Sequence, residues 1–305
     1  MKRHSSVKFM IDMPLFFLLC VGCHIFITGC SVGPRILYKK TIEQQHPLAS
    51  ERTVDAKTSS GSITIEGIDT NECHVLAKIS VRAKTEARAA EIADQIEILI
   101  APTPSGLEIR ADKPRISNVS ISINYEITVP GQTSIVCSSS SGSINVKDIE
   151  GNVNARTSSG SVRCDNLLGD TATLGTSSGS VHLKNAKLNT CRLQTSSGSI
   201  HGHEIDCPDI KANVSSGSIT IVCAQTTPPE LKADLQTSSG SVNLTAPQNY
   251  AGQVDLSSSS GSVSTDLPVT VQGKISKKHL VGTVGQGSGT IRLKSSSGSV
   301  RLKSN

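Results

Sequence analysis

Three imidazoles stand close together in the chain: His182, His201 and His203. His182 and His201 each lie three residues after the glycine of a Ser-Ser-Gly-Ser motif. If those motifs stack as neighbouring turns, the two rings sit about 4.8 Å apart on one face, and His203 points the same way as His201. Three imidazoles at that spacing can ligate Zn²⁺ or Cu²⁺. Arg163, at the equivalent place one turn earlier, and Lys184 beside His203 both oppose a bound cation. The residues therefore favour solvated surface histidines, and neither a metal nor another cofactor is expected.

The other reactive side chains give less. Cys73, Cys137, Cys164, Cys191, Cys207 and Cys223 show no Cys-x-x-Cys or zinc-type spacing. Cys137, Cys164 and Cys191 fall at apolar positions and can serve as small buried hydrophobes. Cys207 and Cys223 follow neighbouring strands in adjacent turns, and they are the first choice for a disulfide if those corners approach closely enough. The serine-rich motifs lack the Gly-x-Ser-x-Gly of a nucleophile elbow, and a repeated serine would need a repeated base. Carboxylates are scattered instead of clustered, and no phosphate-binding glycine loop occurs. The expectation is a protein that is not an enzyme.

What would position these side chains is a repeat. Ser-Ser-Gly-Ser followed by Ile or Val recurs with its glycine at Gly61, Gly142, Gly160, Gly179, Gly198, Gly217, Gly240, Gly261 and Gly298, and Gly289 reads as a degenerate copy. From Gly142 the spacings are 18, 19, 19, 19, 23 and 21 residues. Such a period means stacked supersecondary units. Apolar residues sit seven and five positions before the glycine (Val153 and Ala155, Ala172 and Leu174) and two and four after it (Val162 and Cys164, Val181 and Leu183). Each set has period two, so each is a strand with one face inward. The parity changes across the motif, which predicts a bulge or corner at the glycine. Thr157, Thr176, Thr195 and Thr237, three before the glycine, share the inward parity and predict a partly buried hydroxyl ladder. Outward hydroxyls at fixed spacing can also meet a glycan, a peptidoglycan strand or ice, but inward threonines oppose ice, no aromatic is there to stack on a sugar, and a simple solenoid corner is the favoured reading.

Composition agrees. Aromatic residues make up 2% of 305 residues, with no Trp, and every Phe and Met lies in the first thirty positions. A conventional large core needs bulky side chains. This chain must fold around Val, Ile, Leu, Ala, Ser and Thr. It also lacks the aromatic platforms of sugar clefts and single-stranded nucleic-acid sites, so no nucleic-acid partner is expected. The fold class read here is all-β: a parallel β-solenoid of ~19-residue repeats over 131–305. A small β-rich prelude over 51–130 comes first, with one short helix at Thr85–Gln95. The net charge is +5, and no acidic residue follows Asp266. That basic end reads as a solvated edge or as a cap meeting an anionic surface.

The Thr-Ser-Ser-Gly-Ser-Val turns resemble the bacterial putative-adhesin family with β-strand repeats. So does the strand–helix–strand prelude closing in Tyr125-Glu126-Ile127-Thr128-Val129-Pro130. The resemblance spans roughly 50–305. It implies a non-enzymatic surface-interaction role and brings no catalytic motif.

The first thirty residues read as an address. Lys2, Arg3 and Lys8 precede an apolar stretch that ends Ile27-Thr28-Gly29-Cys30. This resembles a bacterial lipoprotein signal over 1–29. The resemblance implies cleavage between Gly29 and Cys30, acylation of Cys30, and, with Ser31 next, the outer membrane. A polar linker is expected over 30–50. The reading is then an envelope lipoprotein, held to the membrane by its N-terminal lipid and acting as an adhesin or interaction scaffold. Its partner would be a glycan, peptidoglycan or envelope protein. Two alternatives stay open: a periplasmic stress sensor or accessory binding module, and an enzyme on a β-helix scaffold. Oligomeric state is not legible.

Overall fold

The computed structural model describes residues 36–271 and 276–305. The expected signal, Gly29 and Cys30 lie outside them. The alternating apolar residues on either side of each Ser-Ser-Gly-Ser form two strands, and the motif is the corner between them. The chain opens with β1 (Ile36–Pro47), β2 (Thr53–Ser60), β3 (Ile63–Ile68), β4 (Glu72–Ala83), α1 (Glu86–Asp94), β5 (Glu97–Thr103), β6 (Gly106–Asp112) and β7 (Ser120–Pro130). Paired strands follow: β8 (Ser134–Ser141) with β9 (Ile144–Ile149), β10 (Val153–Ser159) with β11 (Val162–Leu168), β12 (Thr171–Ser178) with β13 (Val181–Lys187), and β14 (Thr190–Ser197) with β15 (Ile200–Asp206). Next come β16 (Asp209–Ser216) with β17 (Ile219–Cys223), β18 (Lys232–Ser239) with β19 (Val242–Ala246), and β20 (Gly252–Ser258) with β21 (Val263–Thr265). The last strands are β22 (Thr270–Val271), β23 (His279–Val284), β24 (Gly289–Ser297) and β25 (Val300–Ser304).

The strand before each corner joins one sheet of 13 strands, and the strand after it joins another of 12. Neighbouring turns pair in parallel and in register, so residues at equal offsets from their glycines lie side by side: Ala155 with Leu174, His182 with His201. The expected β-solenoid is the structure found. Its core is the slab between the two sheets. Residues at the expected inward offsets are buried, among them Val153, Ala155, Val162, Cys164, Leu193 and Ile219. Small aliphatic side chains suffice because the slab is thin. The two buried aromatics, Tyr125 and Tyr250, lie near opposite ends of the stack, where the two-strand regularity stops.

The structure revises four expectations. Residues 30–50 were expected as a linker, yet β1 occupies most of that stretch and pairs with β4 along its whole length. Its polarity is that of an edge strand half in water, with alternating exposed and half-buried residues. Second, the corner at Gly61 is a full turn of the stack: β2 pairs in parallel with β8, and β3 with β9. Strands β4 to β7 are an excursion between two stacked turns, and they extend both sheets at that end, partly antiparallel. Within it, α1 is capped by the Thr85 hydroxyl, which accepts from the Arg88 N–H at 3.3 Å, and it buries Ala89, Ile92 and Ala93.

Third, the last two corners do not stack in chain order. The Gly298 turn lies between the Gly240 and Gly261 turns, because β24 pairs with both β18 and β20, and β25 with both β19 and β21. Fourth, Gly289 is no corner. It opens β24 opposite Gly252. The late insertion also disperses the basic end. Arg292 lies in register between Asp234 and Asp255, with an ion pair of 3.6 Å to Asp255.

Candidate functional site: a histidine-bearing sheet face

The corner serves structure. Every corner glycine except Gly61, which meets the Ile123 carbonyl, packs onto the glycine of a neighbouring turn: a Cβ on Gly198 would lie 1.9 Å from the Gly179 carbonyl oxygen, and one on Gly217 2.0 Å from that of Gly198. Both glycines hold positive φ, +151° and +142°. The hydroxyl three residues before the corner reaches that same carbonyl. Thr157 donates to Gly142 O at 2.8 Å, Thr176 to Gly160 O at 2.7 Å, Thr195 to Gly179 O at 2.8 Å and Thr237 to Gly217 O at 2.8 Å. From Ser143 to Ser241 the serine after the glycine forms a second ladder. Its Oγ accepts the N–H of the matching serine one turn on, as Ser161 does from Ser180 and Ser180 from Ser199, both at 3.3 Å. At the first corner Asn124 Oδ1 takes that part, accepting from Ser62 N–H at 2.8 Å. These hydroxyls are committed to the backbone and are not free nucleophiles.

The outer face of the 12-stranded sheet carries the groups with chemistry to spare. One column runs Asn145, Arg163, His182, His201, Thr220, and the column beside it runs Lys147, Asp165, Lys184, His203, Val222. The rings of His182 and His201 stack with centroids 5.0 Å apart and planes 15° from parallel. The expected separation is met, but stacked rings do not converge on an ion. His203 sits in the other column, and among the described residues no His, Cys, Asp or Glu side chains gather in threes to hold a metal. Partial burial, then the neighbouring His201 and Arg163, hold the His182 ring below the ordinary imidazole value. Asp165 is the only carboxylate in these ten positions, and its Oδ1 accepts from Asn185 Nδ2 at 3.2 Å. Lys147 is already paired, with Glu66 at 3.0 Å and Asp148 at 2.9 Å.

The far corner of successive turns holds a second array. Asp148, Asn166, Asn185 and Glu204, each six residues after its glycine, adopt φ of 50° to 56°. Each is an extra residue that restores the inward parity for Ile149, Leu167, Ala186 and Ile205. Their side chains link turn to turn: Asn166 Nδ2 donates to Asp148 Oδ1 at 2.7 Å, and Asn185 Nδ2 to Asn166 Oδ1 at 3.1 Å. The signal was the recurrence of Asp, Asn, Asn, Glu at one offset. An acidic groove of about 540 Å³ runs beside them, lined by Glu150, Leu168, Lys187 and Asp206 among others.

The cysteines are interior. All six in the described residues are free and buried, Cys207 and Cys223 included. The expected bridge between those two is not formed in the structure, and the Cys207 Sγ donates to the Asp209 carbonyl at 3.2 Å. Burial pushes the thiols of Cys73, Cys207 and Cys223 each up to about 12. No helix of the described residues is long and apolar enough to cross a membrane.

The family model described as Toastrack DUF4097 matches residues 107–303. Among solved structures, a "putative adhesin" from Bacteroides fragilis is 14% identical, covers 87% of this chain and 97% of its own, and gives a TM-score of 0.47. A "putative adhesin" from Parabacteroides merdae is 11% identical, with coverages of 86% and 96% and a TM-score of 0.45. A "putative lipid binding protein" from Parabacteroides distasonis is 14% identical, with coverages of 87% and 96% and a TM-score of 0.39. No curated protein matches.

Proposed function

The chain belongs to the Toastrack DUF4097 family, and from that premise we propose that it is a non-enzymatic interaction scaffold of the bacterial envelope, tethered through a lipid on Cys30. One observation carries the scaffold reading. In-register stacking turns residues that are scattered along the chain into a flat array, Arg163–His182–His201 with Lys184 and His203 beside it. Such a face is suited to an extended partner more than to a small substrate. The lipobox residues Ile27-Thr28-Gly29-Cys30 support the tether, and only Ser31 to Arg35 separate Cys30 from β1. That leash spans at most about 20 Å, so the β1 end of the stack would lie close to the bilayer.

Whole-cell proteolysis tests the reading. A C-terminally tagged copy should lose its tag on intact cells if the scaffold faces outward as an adhesin. Protection until lysis would overturn the adhesin form. It would favour the second reading, a periplasmic accessory module that captures a partner by strand addition. That reading has its own support: β1 is a twelve-residue strand at the edge of its sheet. Cys30→Ser should release the protein from the membrane fraction; retention there would sink the lipid tether.

A further inference from the structure

We propose that the Arg163–His182–His201 column, flanked by Lys184 and His203, is a pH-gated docking face for a linear anionic polymer. This rests on the scaffold reading and names its partner.

Five strands supply the face. β9 contributes Asn145 and Lys147, β11 Arg163 and Asp165, β13 His182 and Lys184, β15 His201 and His203, and β17 Thr220 and Val222. Lys147 is neutralised by Glu66 and Asp148. Glu204 follows His203 but sits in the left-handed bulge at the far corner, beside the acidic groove. With neutral imidazoles the patch holds two cations, Arg163 and Lys184, against one carboxylate, Asp165. With three imidazolium groups it holds five against the same one. No other residue of the two columns is a histidine; the other histidines in the strands of this sheet, His46 and His74, lie on β1 and β4 at its far edge, where His74 is already paired with Glu43 at 2.7 Å.

Geometry selects the partner class. The cations stand in two parallel columns with rungs about 4.8 Å apart. That is a strip three rungs long and two side chains wide. A polymer with a charge on every unit can lie along it and meet several cations at once. A membrane surface would call for apolar anchors, and Val222 is the only apolar residue among the ten, half-buried in its sheet. A metal would need convergent ligands, and the stacked rings of His182 and His201 are nearly parallel.

The same stacking supplies the gate. Two imidazolium rings 5.0 Å apart repel, and Arg163 adds to the field at His182. Without a partner, the second proton is resisted. An anion laid across the column relieves the repulsion, so protonation promotes binding and binding promotes protonation by the same factor.

The test is titration of labelled inorganic polyphosphate into the mature chain, purified through a histidine-free tag, at about pH 7.5 and about pH 5.5. Affinity should rise at least about tenfold at the lower pH. The dependence of log Kd on log salt should steepen by about 2, roughly 0.7 for each imidazolium that joins. The His182→Asn, His201→Asn, His203→Asn triple variant should abolish the pH response while keeping the wild-type circular dichroism. His201→Asn alone, at an exposed position, should weaken it. In the wild type the His182 ring should titrate at higher pH with polymer than without. Equal binding at both pH values, a pH response that survives the triple variant, or binding to anionic vesicles but not to polyphosphate would each overturn the proposal. If it fails while the tag is still shaved from intact cells, the scaffold stands and has another partner. Protection of the tag would leave the polyphosphate result unaffected.

Discussion

A hydroxyl three residues before each corner glycine does what a sheet ladder cannot do at a bend: it supplies a donor to a buried carbonyl. Seven of the nine corners place Thr or Ser there with a bond to the carbonyl of the glycine in the adjacent turn. At the Gly61 corner Thr58 donates to the Ile123 carbonyl instead, at 3.3 Å, and at the Gly217 corner Val214 is buried at the same offset with no donor. Thr and Val have nearly the same shape, which gives a paired prediction. Val214→Thr should stabilise the fold by about 1 kcal/mol through a new bond to Gly198 O. Thr176→Val should destabilise it by about 1–2 kcal/mol by leaving Gly160 O short of a partner. Urea denaturation of both variants measures the two effects, and equal signs would refute the ladder. The thiols permit a second residue-scale test. All six should resist alkylation in the native protein and react together on unfolding, because burial keeps them protonated. A count of four on unfolding without reductant would mean that one bridge had formed. His182 sets a third expectation. Its ring is held low in the fold, so the unfolded chain binds that proton first. Stability should therefore fall as pH drops through the ordinary imidazole value near 6.5, and thermal melts across that range should show it.

At the scale of elements, the corner dictates spacing. The carbonyl of one glycine occupies the space where a Cβ on the next would stand. Gly198→Ala should cost about 3 kcal/mol or more, since the clash is with backbone and φ is positive. A melt within a degree of wild type would contradict the packing. The left-handed bulges at the far corner work differently. Asp148, Asn166 and Asn185 tolerate that conformation without a glycine, and their side chains pair along the stack. The bulge disappears at the Gly217 turn, where the register shifts so that Ile205 lies against Cys223. Much of the prelude was legible at this scale. The helix expected at Thr85–Gln95 spans Glu86–Asp94, and strands surround it as expected. β1 was not legible, because an edge strand with one shallow face has the composition of a linker.

For the whole molecule, the order of turns matters most. The final pair β24–β25 sits between two turns that precede it in the chain. The Gly261 turn is therefore held by the C-terminus, not by the turn before it. Deleting residues 286–305 should release everything after Ala246, and limited proteolysis should trim the truncated chain back to about that point. If residues 252–284 stayed protected, the turns would have to stack in simple sequence. The same insertion explains why the run of basic residues after Asp266 makes no uniform cap: Arg292 is placed between two aspartates.

Sequence alone determined the repeat, its two strands per turn, which residues face inward, and the stacking of His182 on His201. All of these follow from local periodicity, because parallel in-register stacking sets equal offsets side by side. Only the tertiary structure decided which turns are neighbours. Corners at Gly61 and Gly298 have the same local chemistry as the rest, and any two can stack. Their places depend on the excursion between Gly61 and Gly142, and on the length of chain that loops past Gly261 before returning. Nor could spacing show how the three imidazoles are arranged, with two rings stacked in one column and the third beside them. Ring orientation and the split between two columns are defined only by the assembled sheet.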